Sequence, residues 1–278
     1  MVEDSLVSIK AYYNGFSDNE KKIASYVVKH AAIIQELTIS DLAKKCQTST
    51  ASISRFVKHI GYLNYREFLM EMPKSTYGDV FSEIEEDDSD TQITEKTFNG
   101  AINALKATKK MLDKNKVKQA AKFLQHTNKL SFFGLGGSSI VALDGFHKFI
   151  RTSLECEYHP DFDIQLMQAV KLTKDDCAIV VSHSGRNQQT MLVAKELKKR
   201  HVPIIAITSY PTSELAQIAD VALIAVAEEV NFRSESMSSL MAQLTIMDSL
   251  FMMTAIYHTD KTENILRDVR GIMQKTRA

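Results

Sequence analysis

Two segments carry the residue types that bind small anions: Gly134-Leu-Gly-Gly-Ser-Ser139 and Ser182-His-Ser-Gly-Arg-Asn187. Glycine lets the backbone turn tightly and brings N–H groups close to a ligand. Serine adds hydroxyls, and a helix that starts directly after the turn offers its positive end. The hydroxyls of Ser138, Ser182 and Ser184, with neighbouring backbone amides, suit a phosphate without requiring a lysine. Taken alone, the first segment is a weak signal. The dinucleotide fingerprint GxGxxG fails because Ser139 stands at its third glycine, and only Glu157 lies where a ribose-binding acid would sit. The two segments become specific only in a fold that brings them to one crevice.

A second constellation lies near the N-terminus, over Ile39-Ser-Asp-Leu-Ala-Lys-Lys-Cys-Gln-Thr-Ser-Thr-Ala-Ser-Ile-Ser-Arg-Phe56. It reads as two helices joined by a tight turn, with Leu42, Ala43, Ile53 and Phe56 as a small shared core. Lys44, Ser49, Thr50, Ser52, Ser54, Arg55 and Lys58 are then expected to point outward. Small hydroxyls let a helix N-terminus approach a groove, its free N–H groups suit phosphate, and an arginine reaches a base edge. Between residues 36 and 66 there are five Lys/Arg against two acids, so the stretch is locally basic. The pattern alone fits a plain three-helix bundle with solvated hydroxyls as well as a DNA reader.

The elements that must hold these residues follow from periodicity. Ser17-Asp-Asn-Glu20 has the form of a capping box before a run with Ile23, Tyr26, Val27 and His30 on one face. A short helix is expected from Ser40. Another is expected from Ser49 to Ile60, where Ile53, Phe56, Val57 and Ile60 share a face and Gly61 stops it. Further on the period changes. Leu130–Phe133, Leu154–Tyr158, Ala178–Val181, Ile204–Thr208 and Val221–Val226 are short β-branched or aromatic runs separated by helical stretches. Helices are expected at about 97–126, 234–258 and 262–275. Strand–helix alternation with continuous apolar strands implies a parallel sheet covered on both faces. In a doubly wound sheet of order 2-1-3-4-5 the two serine segments end neighbouring strands at the topological switch point, where ligands bind.

The 278 residues exceed one ordinary core, and charge marks the division. Residues 1–77 hold ten Lys/Arg and eight acids, 78–95 hold eight acids and no base, and 96–278 hold 24 Lys/Arg and 18 acids. The acidic run, preceded by Pro73 and Gly78, reads as a linker. The expected organisation is a helical domain over 1–77, an acidic linker over 78–96 and an α/β domain over 97–278. The formal net charge is zero, and three widely spaced cysteines without a CxxC pair exclude a disulfide framework. The acidic start MVEDSLVSIK is unlike a signal peptide, and contiguous apolar runs such as Val221–Ala227 are too short for a membrane span. A cytoplasmic protein with no membrane association is expected, and no cofactor or metal is called for. His159-Pro-Asp-Phe-Asp163 lacks a third converging ligand, Lys198-Lys-Arg-His201 reads as a solvated helix end, and the methionines 237, 241, 247, 252 and 253 read as pliable core or a subunit interface.

With both constellations in place, the chain resembles the RpiR family of bacterial transcription regulators, a helix-turn-helix domain followed by a sugar isomerase (SIS) domain. The resemblance is carried by Phe16–Ala24, Ile39–Ala43, Ser49–Phe56, Gly61 and Tyr65–Phe68, then by Phe133–Ser138, Ser182–Gly185, Ile205–Ser209, Leu215, Ala219–Asp220, Phe232–Ser234, Ala242–Leu244 and Asp248–Phe251. It implies an all-α helix-turn-helix bundle and a flavodoxin-like five-stranded parallel sheet. It also implies a regulator of sugar or aminosugar catabolism genes that binds operator DNA, senses a phosphosugar effector and assembles as a homodimer or homotetramer. The implied effector contacts are Gly137, Ser138, Ser139, Ser182, Ser184, Gly185, Asn187 and Glu235. Asn187 stands where many members have Thr, Leu240 replaces a common Arg, and Glu235 stands where many have a small residue. The alternative is a phosphosugar isomerase or lyase with an accessory helical domain. It would draw its acid–base pair from Glu235, His183 and His147, and binding is the favoured reading.

Overall fold

The computed structural model describes residues 5–72, 84, 87–226 and 235–276. The chain divides into two compact units, one around residues 1–111 and the other around 112–225 with 235–278. Each has its own apolar core.

In the first unit, helices α1 (Ser5–Tyr12), α2 (Asp18–Lys29), α3 (Ala31–Ile34), α4 (Ile39–Lys45), α5 (Thr50–His59) and α6 (Tyr65–Met70) precede a long α7 (Asp90–Met111). The expected capping box at Ser17 and Glu20 is present, and a second one, Thr38 with Asp41, starts α4 one residue before the expected Ser40. Ser49 caps α5, and Gly61 just beyond its end takes φ +99°, a left-handed stop. Ile9, Ile23, Val27, Leu42, Ile53, Phe56, Val57 and Phe68 form the core, all fully enclosed. The short α1, α3 and α6 were not expected, since each has too few residues to display a period.

Residues 78–96 depart from a plain linker. Pro73, Gly78 and the acids 79, 83, 85 and 86 lie outside the described residues, but the run turns helical at Asp90, well before 97. Ser89 and Gln92 supply the reason. The Ser89 N–H donates to Gln92 Oε1 while Gln92 N–H donates to Ser89 Oγ, a reciprocal cap that a charge count overlooks. Asp88 also pairs with Lys96 at 2.6 Å.

The second unit opens with α8 (Lys114–His126), separate from α7 because Asp113 caps a new helix. Strands β1 (Lys129–Phe133), β2 (Glu155–Tyr158), β3 (Cys177–Val181), β4 (Ile204–Thr208) and β5 (Val221–Ile224) alternate with α9 (Ser138–Phe149), α10 (Phe162–Lys171), α11 (Gln188–Lys199) and α12 (Glu214–Ile218). Helices α13 (Glu235–Tyr257) and α14 (Thr259–Gln274) follow. The five strands are all parallel in the order 2-1-3-4-5. Strands β3, β4 and β5 are buried at every position, and successive side chains alternate between the two faces with period two. Leu130, Phe132, Ile179, Val181, Ile205, Ile207 and Leu223 meet α8, α9 and α13, whereas Phe133, Val180, Ile204, Ala206 and Ala222 meet α10, α11 and α12.

Helix α13 corrects the membrane argument in one respect. Its segment Ser239–Tyr257 has the length and mean hydropathy, 1.4, of a membrane span, although no uninterrupted apolar run flagged it. Its packing is that of a core helix: Ala242, Ile246, Met247 and Leu250 are buried against the sheet. Of its methionines, Met247 is core, Met253 is partly buried, and Met241 and Met252 are exposed.

Candidate functional site

The serine loops leave adjacent strand ends. Register pairs Phe133 of β1 with Val180 of β3, so Gly134–Ser139 and Ser182–Asn187 emerge side by side. They touch: the His183 N–H donates to Ser138 Oγ at 3.3 Å across 45 residues of sequence. Each loop runs into the first turn of a 12-residue helix, α9 or α11, whose dipole favours an anion.

The geometry of each loop has an assignable cause. A Cβ on Gly134 would lie 2.7 Å from the Ser138 carbonyl oxygen, so only glycine lets the strand turn so tightly onto α9. Ser139 Oγ donates to the Gly136 carbonyl at 2.6 Å. Gln165 of α10, fully buried, exchanges both hydrogen bonds with the Gly134 peptide and donates to the His159 carbonyl. In the second loop, Ser182 is buried and its Oγ accepts from the Gly185 N–H at 3.2 Å. Ser184 is half-buried, with Oγ accepting from the Arg186 N–H. Asn187 Oδ1 caps α11 by accepting from the Thr190 N–H at 3.0 Å, which commits its oxygen and leaves its amide nitrogen as the ligand-facing chemistry.

His183 points inward. Its Nδ1 lies 3.0 Å from Ser209 Oγ and 2.8 Å from Ser239 Oγ, and Gln243 Nε2 donates to the same Ser239 oxygen. The His183 carbonyl accepts from the Ser209 N–H and Thr208 Oγ1, and Tyr210 stands edge-on to the ring. This network joins the second loop to β4's end and to α13. Sequence reading missed Gln165 and Ser239, since nothing local marks a lone Gln or Ser in a helix, and gave no site role to Thr208, Ser209 and Gln243, which lie in segments that carry the family resemblance. The other acid–base candidates do not join the loops. His147 is exposed beside Arg151, about 13 Å along α9 from Ser138. Glu235 begins α13, with its side chain outside the described residues. Met237 and Phe232-Arg-Ser234 share that standing.

Several bland expectations have local explanations. Glu157 pairs with Lys129 at 2.6 Å, and although burial raises its carboxyl pKa, bonds from Lys129 and Gln168 bring it below the usual range. His159 Nδ1 accepts from the Asp161 N–H and Asp161 caps α10, so these two residues shape a turn. The three cysteines are free, and burial pushes Cys46 up to about 11 and Cys156 to about 12, which keeps them as protonated thiols. Among the described residues no group of three or more His, Cys, Asp or Glu is set to hold a metal.

In the first unit, Gln47 at φ +53° makes the turn between α4 and α5, and Asn19 Nδ2 donates to Thr48 Oγ1 to tie that turn to α2. Lys44, Ser49, Thr50, Arg55 and Lys58 are exposed, as the pattern predicts, whereas Ser54 is half-buried. Ser52 is a correction. It is buried because it precedes Phe56 by four residues and shares its inward face, and its hydroxyl bonds Ser49 Oγ at 3.0 Å and accepts from Arg55 Nη2 at 3.4 Å. It supports Arg55 rather than facing solvent.

Comparison with known proteins agrees with this geometry. The profile of the helix-turn-helix domain of the rpiR family matches residues 4–77, and that of the SIS domain matches residues 123–253. An uncharacterized HTH-type transcriptional regulator of Caldanaerobacter subterraneus is 33% identical over 259 residues, covering 91% of this chain and 90% of that protein. The HTH-type transcriptional regulator RpiR of Escherichia coli K12 is 27% identical over 249 residues, covering 87% and 82%. The structure of the Vibrio vulnificus NanR protein complexed with ManNAc-6P shares the fold, with a TM-score of 0.62, 22% identity and 98% coverage of both chains. A capped helix-turn-helix, a five-stranded parallel sheet with two touching serine loops, and these matches together show that the chain belongs to the RpiR family of HTH-type transcriptional regulators.

Proposed function

We propose that the chain is a DNA-binding regulator of sugar or aminosugar catabolism genes whose serine loops bind a phosphosugar effector. One observation carries the reading: the bond between the His183 N–H and Ser138 Oγ, which brings two anion-suited loops to one crevice. Phosphate binds Ser138, Ser139, Ser182 and Ser184 with the Gly137 and Gly185 amides, while Asn187 and Glu235 contact the remainder of the ligand. A neighbour of the same fold complexed with ManNAc-6P supports a phosphorylated sugar as the ligand class. Lys44, Ser49, Thr50, Ser54, Arg55 and Lys58 meet operator DNA. Two subunits present their α5 helices about 34 Å apart on a palindromic site. A helix-turn-helix domain within residues 1–77 and a SIS domain, connected in sequence through α7 (Asp90–Met111), in a cytoplasmic homodimer or tetramer, complete the reading.

The site binds its ligand without turnover in this reading. Acid–base chemistry needs a base within hydrogen-bond reach of the sugar, but the His183 ring faces Ser209 and Ser239 and His147 stands away along α9. The test is a mobility-shift assay on DNA flanking the protein's own gene, repeated with hexose and aminosugar phosphates. One phosphosugar is expected to shift the binding curve. Ser184→Ala removes that response while DNA binding persists, and Arg55→Ala removes specific DNA binding while the sugar still binds. An undiminished response in Ser184→Ala overturns the effector site, and turnover of a phosphosugar that is lost in Glu235→Gln overturns the non-enzymatic reading.

A further inference from the structure

The first unit has a cleft of about 530 Å³ between α2 and the α4–α5 turn. Lys21, Lys22 and Lys29 of α2 and Lys45 at the end of α4 line it. Among the described residues none of these four ammonium groups is ion-paired, whereas Lys96, Lys129, Lys148 and Lys198 each hold a carboxylate at 3.2 Å or less. Asp18 is the carboxylate in the lining, in the first turn of α2, where it complements the helix dipole. The other acid of that turn, Glu20, is drawn away from the cleft by Ser17 and by His59 at 2.7 Å. The lining also holds a stacked pair, Tyr26 and His30, with ring centroids 4.1 Å apart.

Four like charges around one cleft repel one another, and although Lys29 and Lys45 complement the C-terminal ends of α2 and α4, Lys21 and Lys22 have no such role, so the arrangement points to a polyanion. The cleft also differs from the serine loops: long, flexible ammonium side chains surround it in place of a fixed cradle of hydroxyls and amides. That suits a chain of phosphates rather than one small ligand. Lys22 and Lys29 are seven residues apart, about 10 Å along α2, which is the rise of about three phosphates on one duplex strand. The rim residues Lys45 and Gln47 lie just before Ser49, the cap of α5, and the Asn19–Thr48 bond of 3.0 Å fixes α2 against that turn.

We infer that this cleft is a second DNA-binding surface, a clamp on the phosphate backbone beside the groove entered by α5, in which Lys21, Lys22, Lys29 and Lys45 bind without reading sequence. The inference rests on the DNA-binding role proposed above. Removing the clamp weakens binding to operator and non-specific DNA alike.

The test uses the full-length protein and fluorescence anisotropy on two duplexes, one from the region upstream of its own gene and one with that sequence scrambled. Affinity is measured between about 50 and 200 mM salt. Lys21→Gln/Lys22→Gln/Lys29→Gln is expected to weaken both duplexes by the same factor and to leave their ratio unchanged. The slope of log affinity against log salt becomes shallower by about 0.9 for each phosphate that is no longer neutralised. The triple Lys→Arg variant keeps the wild-type slope. Lys116→Gln/Lys118→Gln/Lys122→Gln on α8, which removes the same charge elsewhere, also keeps it. A wild-type slope in the α2 glutamine variant, or an equal weakening in the α8 variant, overturns the clamp while leaving the DNA-binding role intact. Wild-type protein that binds neither duplex overturns the DNA-binding role itself, and the clamp with it.

Discussion

Gly185→Ala tests whether the second serine loop is held in the conformation that the effector site requires. Gly185 has φ +60°, and a Cβ built there would lie 2.2 Å from Ser213 Oγ, 2.6 Å from Ser213 Cβ and 3.0 Å from Thr208 Oγ1. Left-handed backbone costs a non-glycine residue about 1–2 kcal/mol. Overpacking adds about 1–3 kcal/mol, because Ser213 is fully buried and its Oγ caps α12 by accepting from the Ala216 N–H, so it cannot retreat freely. The combined cost is about 2–5 kcal/mol. At about 2–4 °C per kcal/mol for a domain of this size, a mid-range destabilisation of about 3 kcal/mol lowers the melting temperature of the α/β unit by about 6–12 °C. The two contributions separate in a double-mutant cycle. Ser213→Gly removes the colliding atoms, and glycine at a helix N-cap costs only a few tenths of a kcal/mol. Gly185→Ala/Ser213→Gly therefore regains about 1–3 kcal/mol relative to Gly185→Ala but keeps the backbone strain. Calorimetric melts of the four proteins, with a phosphosugar titration on each, supply the readout. Strictly additive costs, or a Gly185→Ala destabilisation below about 1 kcal/mol, would refute the packing argument.

Two further predictions concern the helical unit. Gln47 carries the left-handed turn between α4 and α5, so Gln47→Gly is expected to stabilise it by up to about 1 kcal/mol, the strain released less the added unfolded-state entropy of glycine. A lowered melting temperature would show that the turn is not strained. Burial raises the Glu20 carboxyl pKa, but hydrogen bonds from His59 and Ser17 outweigh it and hold the group below its ordinary value of 4.5. A depressed folded pKa gives stability that is complete above the unfolded value and lost as pH falls through the folded one. Glu20→Gln should therefore flatten the acid limb of the stability–pH curve and leave the alkaline limb unchanged. An acid limb of wild-type steepness in that variant would remove Glu20 from the account.

Most of the architecture is legible along the chain because its signals are local. Continuous apolar runs such as Ile204–Thr208 mark strands buried on both faces, the box at Ser17 and Glu20 marks a helix start, and Gly61 marks a stop. What is not legible is relative rather than local. Ser52 looks like its neighbours Thr50 and Ser54, and only its phase against Phe56 buries it. The acids after residue 78 suggest a linker because charge density is conspicuous, whereas the Ser89–Gln92 cap that starts α7 is made by two ordinary polar residues. Helix α13 has a membrane-like hydropathy that only its packing under the sheet explains.

The proposed effector site shows the same division more sharply. Its chemistry is written in two short segments, but its precision comes from groups that lie outside them. Gln165 holds the Gly134 peptide, while Thr208 and Ser209 hold the His183 carbonyl. Ser239 and Gln243 reach His183 from α13. The loops' own Ser139, Ser182, Ser184 and Asn187 side chains brace them locally, and neighbouring elements fix them against the rest of the sheet. The neighbours that do so here are β4, α10 and α13. Because α13 carries both the Ser239 contact and the core residues Met247 and Leu250, a rotation of the His183 ring cannot occur without disturbing Ser239, which is fully buried in that helix. The second serine loop and α13 are thus tied together through one imidazole, which holds Ser209 at the end of β4 and Ser239 in α13.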